Sequence, residues 1–230
     1  MIRNLKVLGL ALAAVFAMSA IAASAASAAD LTAESYPATV TGAPQTGTVD
    51  TFTTTAGKVK CPNASYTGTV SAATTTVSIT PNFNGPNDTC TALAGIVPTI
   101  IHPNGCTFLF HIEAGVSTGT VDIVCPAGNE ITITANENTA GTLTTKCTIH
   151  VPPQTGIGPL SYSTTGSGTT REIRLSVAVT NGIQYTETAG SGLGACETTT
   201  KVQTDGTYSG TDLLTGEVDG GSTHIGLFLS

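Results

Sequence analysis

Six cysteines are the residues whose number and setting most clearly predict chemistry. They are Cys61, Cys90, Cys106, Cys125, Cys147 and Cys196. Their number is even and all of them follow the apolar N-terminal stretch, which predicts three disulfides formed in an oxidising compartment. A zinc site is the competing interpretation, but the chain has neither a C-x-x-C nor an H-x₃₋₅-H spacing. Disulfides are therefore favoured over a metal site.

The pairing of the six cysteines is only partly specified by the sequence. Six cysteines allow fifteen connectivities, and spacing alone does not choose among them. The register of a central hairpin, described below, supports Cys106–Cys125. The remaining four cysteines pair most simply as Cys61–Cys90 and Cys147–Cys196.

The histidines are the next candidates for a chemical role. His111 and His150 both fall on the outward parity of their predicted strands, which predicts solvated side chains. A zinc cluster of His102, His111 and His150 is the alternative, but no ligand spacing selects it. No G-x-S-x-G, S-x-x-K or Gly-rich phosphate loop occurs. The sequence therefore predicts no catalytic residue, no metal ligand and no cofactor.

Acidic residues gather towards the C-terminal end of the chain. Asp205, Asp212, Glu217 and Asp219 are predicted to lie in loops, and oxygen-rich loops can hold Ca²⁺. The D-x-D-x-D-G spacing of an EF-hand is absent, so solvated acidic turns are favoured over a calcium site.

The elements that must position these residues are strands, and the clearest pair spans Cys106 to Cys125. Cys106, Phe108, Phe110 and Ile112 share one parity, which is typical of a strand with one buried face. A Gly-rich break at 115–116 closes a hairpin. This register places Phe108 opposite Ile123 and Phe110 opposite Val121, with the two cysteines opposite each other.

Composition extends the β prediction to the whole chain after the leader. The sequence is rich in threonine, and no segment shows a helical period over three turns. Strands recur every ~8–12 residues between Gly, Pro and Asn breaks, which favours a disulfide-stapled β-sandwich of Ig-like or Greek-key type. Residues 30–230 are predicted to form one domain. Two small β-subdomains, divided near 152–170, are the alternative.

Residues 1–29 have the layout of a secretory signal peptide. Arg3 and Lys6 precede an uncharged apolar run, and small residues before Asp30 predict cleavage near 28–30. An uncleaved membrane anchor is the alternative, but the run is mostly alanine. We therefore expect a secreted protein with no membrane insertion after the signal is removed. The net charge of −7 argues against nucleic-acid and anionic-membrane partners.

Four segments of the chain carry a resemblance to a known group. They read YPATVTG (36–42), TTAGKVKC (54–61), NGCTFLFH (104–111) and VDIVCPAG (121–128). The pattern resembles a group of small, uncharacterised, exported actinobacterial proteins that contain cysteines and are all-β. The resemblance implies export and cysteine-stapled β structure, and it transfers no activity, ligand or catalytic residue.

Together these features favour a secreted or cell-surface β-sandwich that acts by binding or display rather than by catalysis. Its expected partner is an extracellular protein or a glycan of unknown identity. An extracellular hydrolase or metal-dependent enzyme, with a site assembled across strands, is the first alternative. A Ca²⁺-dependent carbohydrate-binding module is the second.

Overall fold

The structure is a computed structural model that describes residues 29–230 with several gaps. The residues outside the description are 1–28, 84–89, 93–96, 114–116, 140–141, 191–195, 197, 200, 219 and 222. The predicted signal peptide therefore lies almost wholly outside the described residues. Within these bounds the chain is strand and turn, with one 3₁₀ turn at Gly168–Thr170.

The described strands are numbered in chain order. The first nine are β1 (Leu31–Ala33), β2 (Ala38–Pro44), β3 (Asp50–Thr54), β4 (Gly57–Cys61), β5 (Ser65–Val70), β6 (Thr76–Asn82), β7 (Thr91–Ala92), β8 (Val97–His102) and β9 (Thr107–Ile112). The others are β10 (Thr118–Val124), β11 (Ile131–Thr139), β12 (Thr142–Val151), β13 (Gln154–Thr165), β14 (Glu172–Ala189), β15 (Gln203–Val218), β16 (Thr223–Ile225) and β17 (Leu227–Leu229).

Hydrogen bonding closes two rings of strands that share β14 and β15. The first ring runs β15–β2–β5–β6–β9–β10–β13–β14 and returns to β15. The second ring runs β15–β3–β4–β7–β8–β11–β12–β14 and also returns to β15. Every pairing in both rings is antiparallel. Apart from the pair β1–β17 and the edge strand β16, the described strands all belong to one ring or both.

Strand β14 can serve both rings because it changes partner part-way along. Its first half pairs with β13, from Glu172 to Val177, and its last residues pair with β12. The ladder to β15 is interrupted between Val179 and Ile183. Gly182 lies in this interruption with φ +100°, a conformation that favours glycine over residues with a Cβ.

The inward faces of the shared strands follow the period of two that the sequence predicts. Ile173, Leu175, Val177 and Val179 are all buried. The central hairpin also has the predicted register, with Phe110 opposite Val121 and Phe108 opposite Ile123. Its turn, at residues 114–116, lies outside the described residues.

All six cysteines form disulfides, and the pairs are Cys61–Cys90, Cys106–Cys125 and Cys147–Cys196. Disulfides of this number are typical of proteins from oxidising compartments. The predicted all-β, disulfide-stapled fold is therefore confirmed, and the arrangement is consistent with a β-sandwich. The finer Ig-like or Greek-key assignment stays a prediction. Over the described part of the chain, no helix is long and apolar enough to cross a membrane.

Candidate functional site

Two buried aspartates lie on the inner faces of strands and form the candidate site. Asp50 begins β3 and is 2% exposed, while Asp212 lies in β15 and is 3% exposed. Asp50 is in phase with buried Phe52, and Asp212 is in phase with buried Leu214. Each carboxyl group therefore points into the interior because the alternation of its strand puts it there.

Two tyrosines complete the buried polar cluster. The Tyr66 hydroxyl donates to Asp50 Oδ2 at 2.5 Å and lies 3.3 Å from the Tyr208 hydroxyl. A Cβ at position 210 would collide with Asp50 Oδ1, so Gly210 leaves room for this carboxyl group. Asp50 Oδ1 and Asp212 Oδ1 are buried and have no hydrogen-bond partner. Buried polar atoms normally have partners, so these two oxygens mark an unsatisfied site.

Burial controls the protonation of this cluster. Burial, together with the neighbouring charge of Asp50, raises the pKa of Asp212 to about 8. Burial also raises the pKa of Asp50, but hydrogen bonds from Tyr66 and Tyr208 oppose that shift. The pKa values of both tyrosines lie well above their usual range, chiefly because of burial. At neutral pH we therefore place the negative charge on Asp50 and the proton on Asp212.

A cavity of about 90 Å³ lies inside the first ring and borders this cluster. Its walls are Ile, Leu, Val and Phe side chains, such as Phe110, Val121 and Leu175. The polar residues in its lining are Tyr66, Tyr208 and Asp212. An apolar cavity with a few convergent polar groups is the usual form of a small-molecule site.

A second cavity, of about 80 Å³, lies inside the second ring. It is lined by Asp50 and by apolar side chains such as Phe52 and Ile133. Tyr208 borders both cavities, so its phenol ring lies where the two interiors meet. The carboxyl groups of the pair thus face different cavities, Asp212 the first and Asp50 the second.

The histidines lie elsewhere. His111 lies on the outer face, as its parity predicts, and it is paired with an aspartate. His111 Nε2 lies 3.0 Å from Asp122 Oδ2, and both side chains are partly buried. The Gly156 amide, which donates to Asp122 Oδ1 at 2.8 Å, is the main cause of a lowered pKa at Asp122. The pairing follows from the hairpin, because β9 and β10 put the two residues on the same outer face.

His150 is also paired rather than simply solvated. Its Nδ1 lies 2.6 Å from Glu130 Oε1. His102 and His150 lie on opposite sides of Thr132, on strands β8 and β12 that both flank β11. His111 belongs to the first ring, so the three histidines do not converge. No group of three His, Cys, Asp or Glu side chains that could hold a metal occurs among the described residues.

The acidic C-terminal residues do not lie in loops, which corrects the interpretation on which a calcium site depended. Asp205, Asp212 and Glu217 all lie in β15, and Asp219 is outside the described residues. Asp205 accepts a hydrogen bond from the Tyr185 hydroxyl at 2.8 Å, whereas Asp212 faces the interior. A strand separates these carboxylates instead of gathering them around one ion.

A further buried acid, Glu187, has a structural explanation. It is 1% exposed, and its Oε1 accepts hydrogen bonds from Thr55 Oγ1 at 3.2 Å and from the Ala56 amide at 3.1 Å. Those two residues form the turn between β3 and β4. Glu187 therefore ties this turn to β14, although its Oε2 has no partner.

Sequence reasoning missed both Asp50 and Glu187 and assigned Asp212 to a loop. The signal was present, because each acid is in phase with apolar or aromatic neighbours two residues away. Asp50 precedes Phe52, Glu187 follows Tyr185, and Asp212 precedes Leu214. An acid on the apolar parity of a strand predicts a buried carboxyl group.

Comparison with known proteins identifies no relative of this chain. No protein-family model, no curated protein and no solved structure matches it.

Proposed function

We propose that this chain is an exported binding protein that encloses a small, largely apolar ligand inside its first ring. The N-terminal leader, the three disulfides and the resemblance to exported actinobacterial proteins support export. The observation that carries the proposal is the first cavity, with its apolar walls and the unpartnered oxygen of Asp212. Binding of an extracellular protein or glycan at the outer surface stays a separate proposal.

The size of the cavity limits the ligand. An engineered apolar cavity of about 150 Å³ binds benzene or xenon. By proportion, a cavity of about 90 Å³ would hold roughly four non-hydrogen atoms. The proposed ligand is therefore a small molecule or the apolar end of a larger one.

Xenon tests the proposal directly because it binds apolar cavities without needing a polar contact. In methyl NMR spectra of the mature protein, xenon should shift the signals of Val121, Leu175 and Val177, which line the first cavity. Val121→Phe should fill the cavity and remove the shifts. Val124→Phe is the matched control, because Val124 lies on the same strand but is 45% exposed.

An unfolded Val121→Phe would be recognised from its spectrum, and Val121→Leu then replaces it with a smaller added volume. Xenon shifts that persist unchanged in both Val121 variants, or that never appear in the wild type, would exclude the first cavity as a binding site.

An enzyme is the second candidate, favoured by the carboxyl pair. Coupled carboxyl groups with raised pKa values are typical of acid–base catalytic sites. An extracellular hydrolase of this kind would release p-nitrophenol from ester or glycoside substrates, and both Asp50→Asn and Asp212→Asn would abolish the release. Asp122→Asn, a surface aspartate in another ion pair, is the matched control.

A further inference from the structure

We infer that the first cavity binds a small alkylammonium ion, with the ammonium group on the carboxylate of Asp212 and the alkyl chain against the apolar wall. The inference rests on the proposed function, because it names the class of ligand that the same cavity would take. It depends on three features of the site, namely its carboxyl group without a cation, its acceptor atoms and its volume.

The first feature is a buried carboxyl group, that of Asp212, without a cation beside it. Asp212 is faced by Asp50 on β3, by Tyr66 on β5 and by Tyr208 on its own strand. Its direct neighbours on the adjoining strands β2 and β14 are Pro44 and Leu175, which do not titrate. No Lys, Arg or His side chain of the described residues lines either cavity. Buried charges are normally paired, and the described protein offers ionised Asp212 no positive partner.

The second feature is the set of acceptors at the polar part of the wall. A primary ammonium group carries three donors and no acceptor. Asp212 Oδ1 is buried without a partner, and Tyr208 lines the same cavity. An alcohol could also donate to Asp212, but it would leave the charge of ionised Asp212 uncompensated. Calcium would need six to eight oxygen ligands, and the apolar wall does not offer them.

The third feature is size. A cavity of about 90 Å³ has room for roughly four non-hydrogen atoms by comparison with the benzene-binding cavity. Propylamine has that size, and 1-propanol is its neutral isostere. The pair differs in charge and little else, so it isolates the contribution of Asp212.

The experiment compares these two ligands by calorimetry on the mature, oxidised wild-type protein. At pH 9 the Asp212 carboxyl is largely ionised, because its pKa is about 8, while an alkylamine of pKa near 10.4 stays charged. Propylamine should then bind at least tenfold more tightly than 1-propanol. At pH 6 protons occupy Asp212, so the affinity for propylamine should fall at least tenfold and that for 1-propanol should not change.

Variants assign the preference to one residue. Asp212→Asn should bring the two affinities within about twofold of each other while xenon still enters the cavity. Asp122→Asn, which alters an aspartate on the outer face, should leave the tenfold preference intact. If Asp212→Asn does not fold, the comparison of pH 6 with pH 9 in the wild type still decides the question.

The possible results separate the inference from the proposed function. Equal affinities at pH 9, a preference that survives Asp212→Asn, or xenon binding that propylamine does not displace would overturn the alkylammonium ligand and leave the binding function standing. A cavity that takes neither xenon nor propylamine, and so holds only water, would overturn both.

Discussion

The two rings share their longest strands but are closed in different ways. In the first ring, neighbouring strands pair over runs such as the six residue pairs between β9 and β10. In the second, the pairing of β4 with β7 among the described residues is the single pair Lys60 and Thr91. Cys61–Cys90 lies directly beside that contact, and Cys147–Cys196 links β12 to the segment after β14. Covalent bonds thus reinforce the ring whose hydrogen-bond ladder is thinner.

The interiors of the two rings also differ in how their buried carboxyl groups are hydrogen-bonded. The cavities are similar in volume, about 90 and about 80 Å³. In the second cavity the carboxyl group of Asp50 is held by the Tyr66 hydroxyl. In the first, Asp212 Oδ1 has no partner. Asp50 Oδ1 also has no partner, but Asp50 is held through its Oδ2, and two of the three disulfides lie in the second ring. The second ring is therefore the more structural half.

The largest expected loss of stability comes from removing a disulfide of the second ring. Replacing Cys61 and Cys90 by Ala should lower the free energy of unfolding by about 3–4 kcal/mol, as chain entropy predicts for a loop of about 30 residues. Urea denaturation measures the loss. Hydrogen exchange should accelerate most in β7 and β8, because only short ladders then hold them.

Replacing Cys106 and Cys125 by Ala is the matched control. Chain entropy predicts a similar loss of about 3 kcal/mol, but the continuous β9–β10 ladder should keep exchange in β7 and β8 slow. Acceleration of β7 and β8 to the same degree in both variants would refute the difference between the rings.

A substitution in the wall of the first cavity should give the next largest loss of stability. Phe110 is half-buried and packs against the core, so Phe110→Ala should cost about 3 kcal/mol through cavity formation. His111→Ala, one residue along and facing outward, should cost no more than about 1 kcal/mol, because a surface ion pair contributes little. Equal losses in urea denaturation would mean that the two faces of β9 are wrongly assigned.

The carboxyl pair should make stability depend on pH with a defined sign. The folded pKa of Asp212, about 8, lies above its unfolded value of about 4. The folded state therefore binds more protons than the unfolded state. The contribution of Asp212 to the free energy of unfolding is fully present below pH 4 and falls as the pH rises towards 8. Asp212→Asn should flatten this decline, a change of about 2.5 kcal/mol between pH 5 and pH 7.

Asp122 provides the control of opposite sign. Its folded pKa is lowered, chiefly by the Gly156 amide, so its contribution is present above its unfolded pKa and is lost as the solution becomes more acidic. Asp122→Asn should change the pH profile only at the acid end. A decline between pH 5 and pH 8 that survives Asp212→Asn would exclude Asp212 as its source.

The smallest expected effect concerns the surface pair on the second ring. His150→Gln should change the free energy of unfolding by about 0.5 kcal/mol, because the ion pair with Glu130 is partly exposed and solvent weakens it. Thermal denaturation should show nearly the same midpoint as the wild type. A loss as large as that of Phe110→Ala would indicate that His150 has a structural role beyond this pair.

Local pattern was enough to predict the parts of the fold that depend on neighbouring residues. The register of the central hairpin follows from the parity of Phe108 and Phe110 and from a short connection. By contrast, local pattern predicts one strand at Ile173–Thr180 and a separate one around Tyr185, although β14 runs through both. Gly182 suggests a break locally, and only pairing with distant strands carries β14 past it.

The candidate site was harder to predict for the same reason. Asp50 and Asp212 are 162 positions apart in the sequence, and no local pattern around either residue predicts its contact with the other. They meet because β3 and β5 bring Asp50 and Tyr66 to β15, which carries Asp212 and Tyr208. Parity can predict that each acid is buried, but ring closure determines that they share one cluster.

The most direct test of the proposed site is to locate a bound alkylammonium ion in a crystal structure. A crystal structure of the mature protein grown at pH 9 with propylamine should show the ligand inside the first ring, with its nitrogen about 2.8 Å from an Asp212 carboxylate oxygen. The propyl chain should contact Val121 and Leu175. Propylamine found only on the outer surface, or a first cavity that contains only water, would contradict the account.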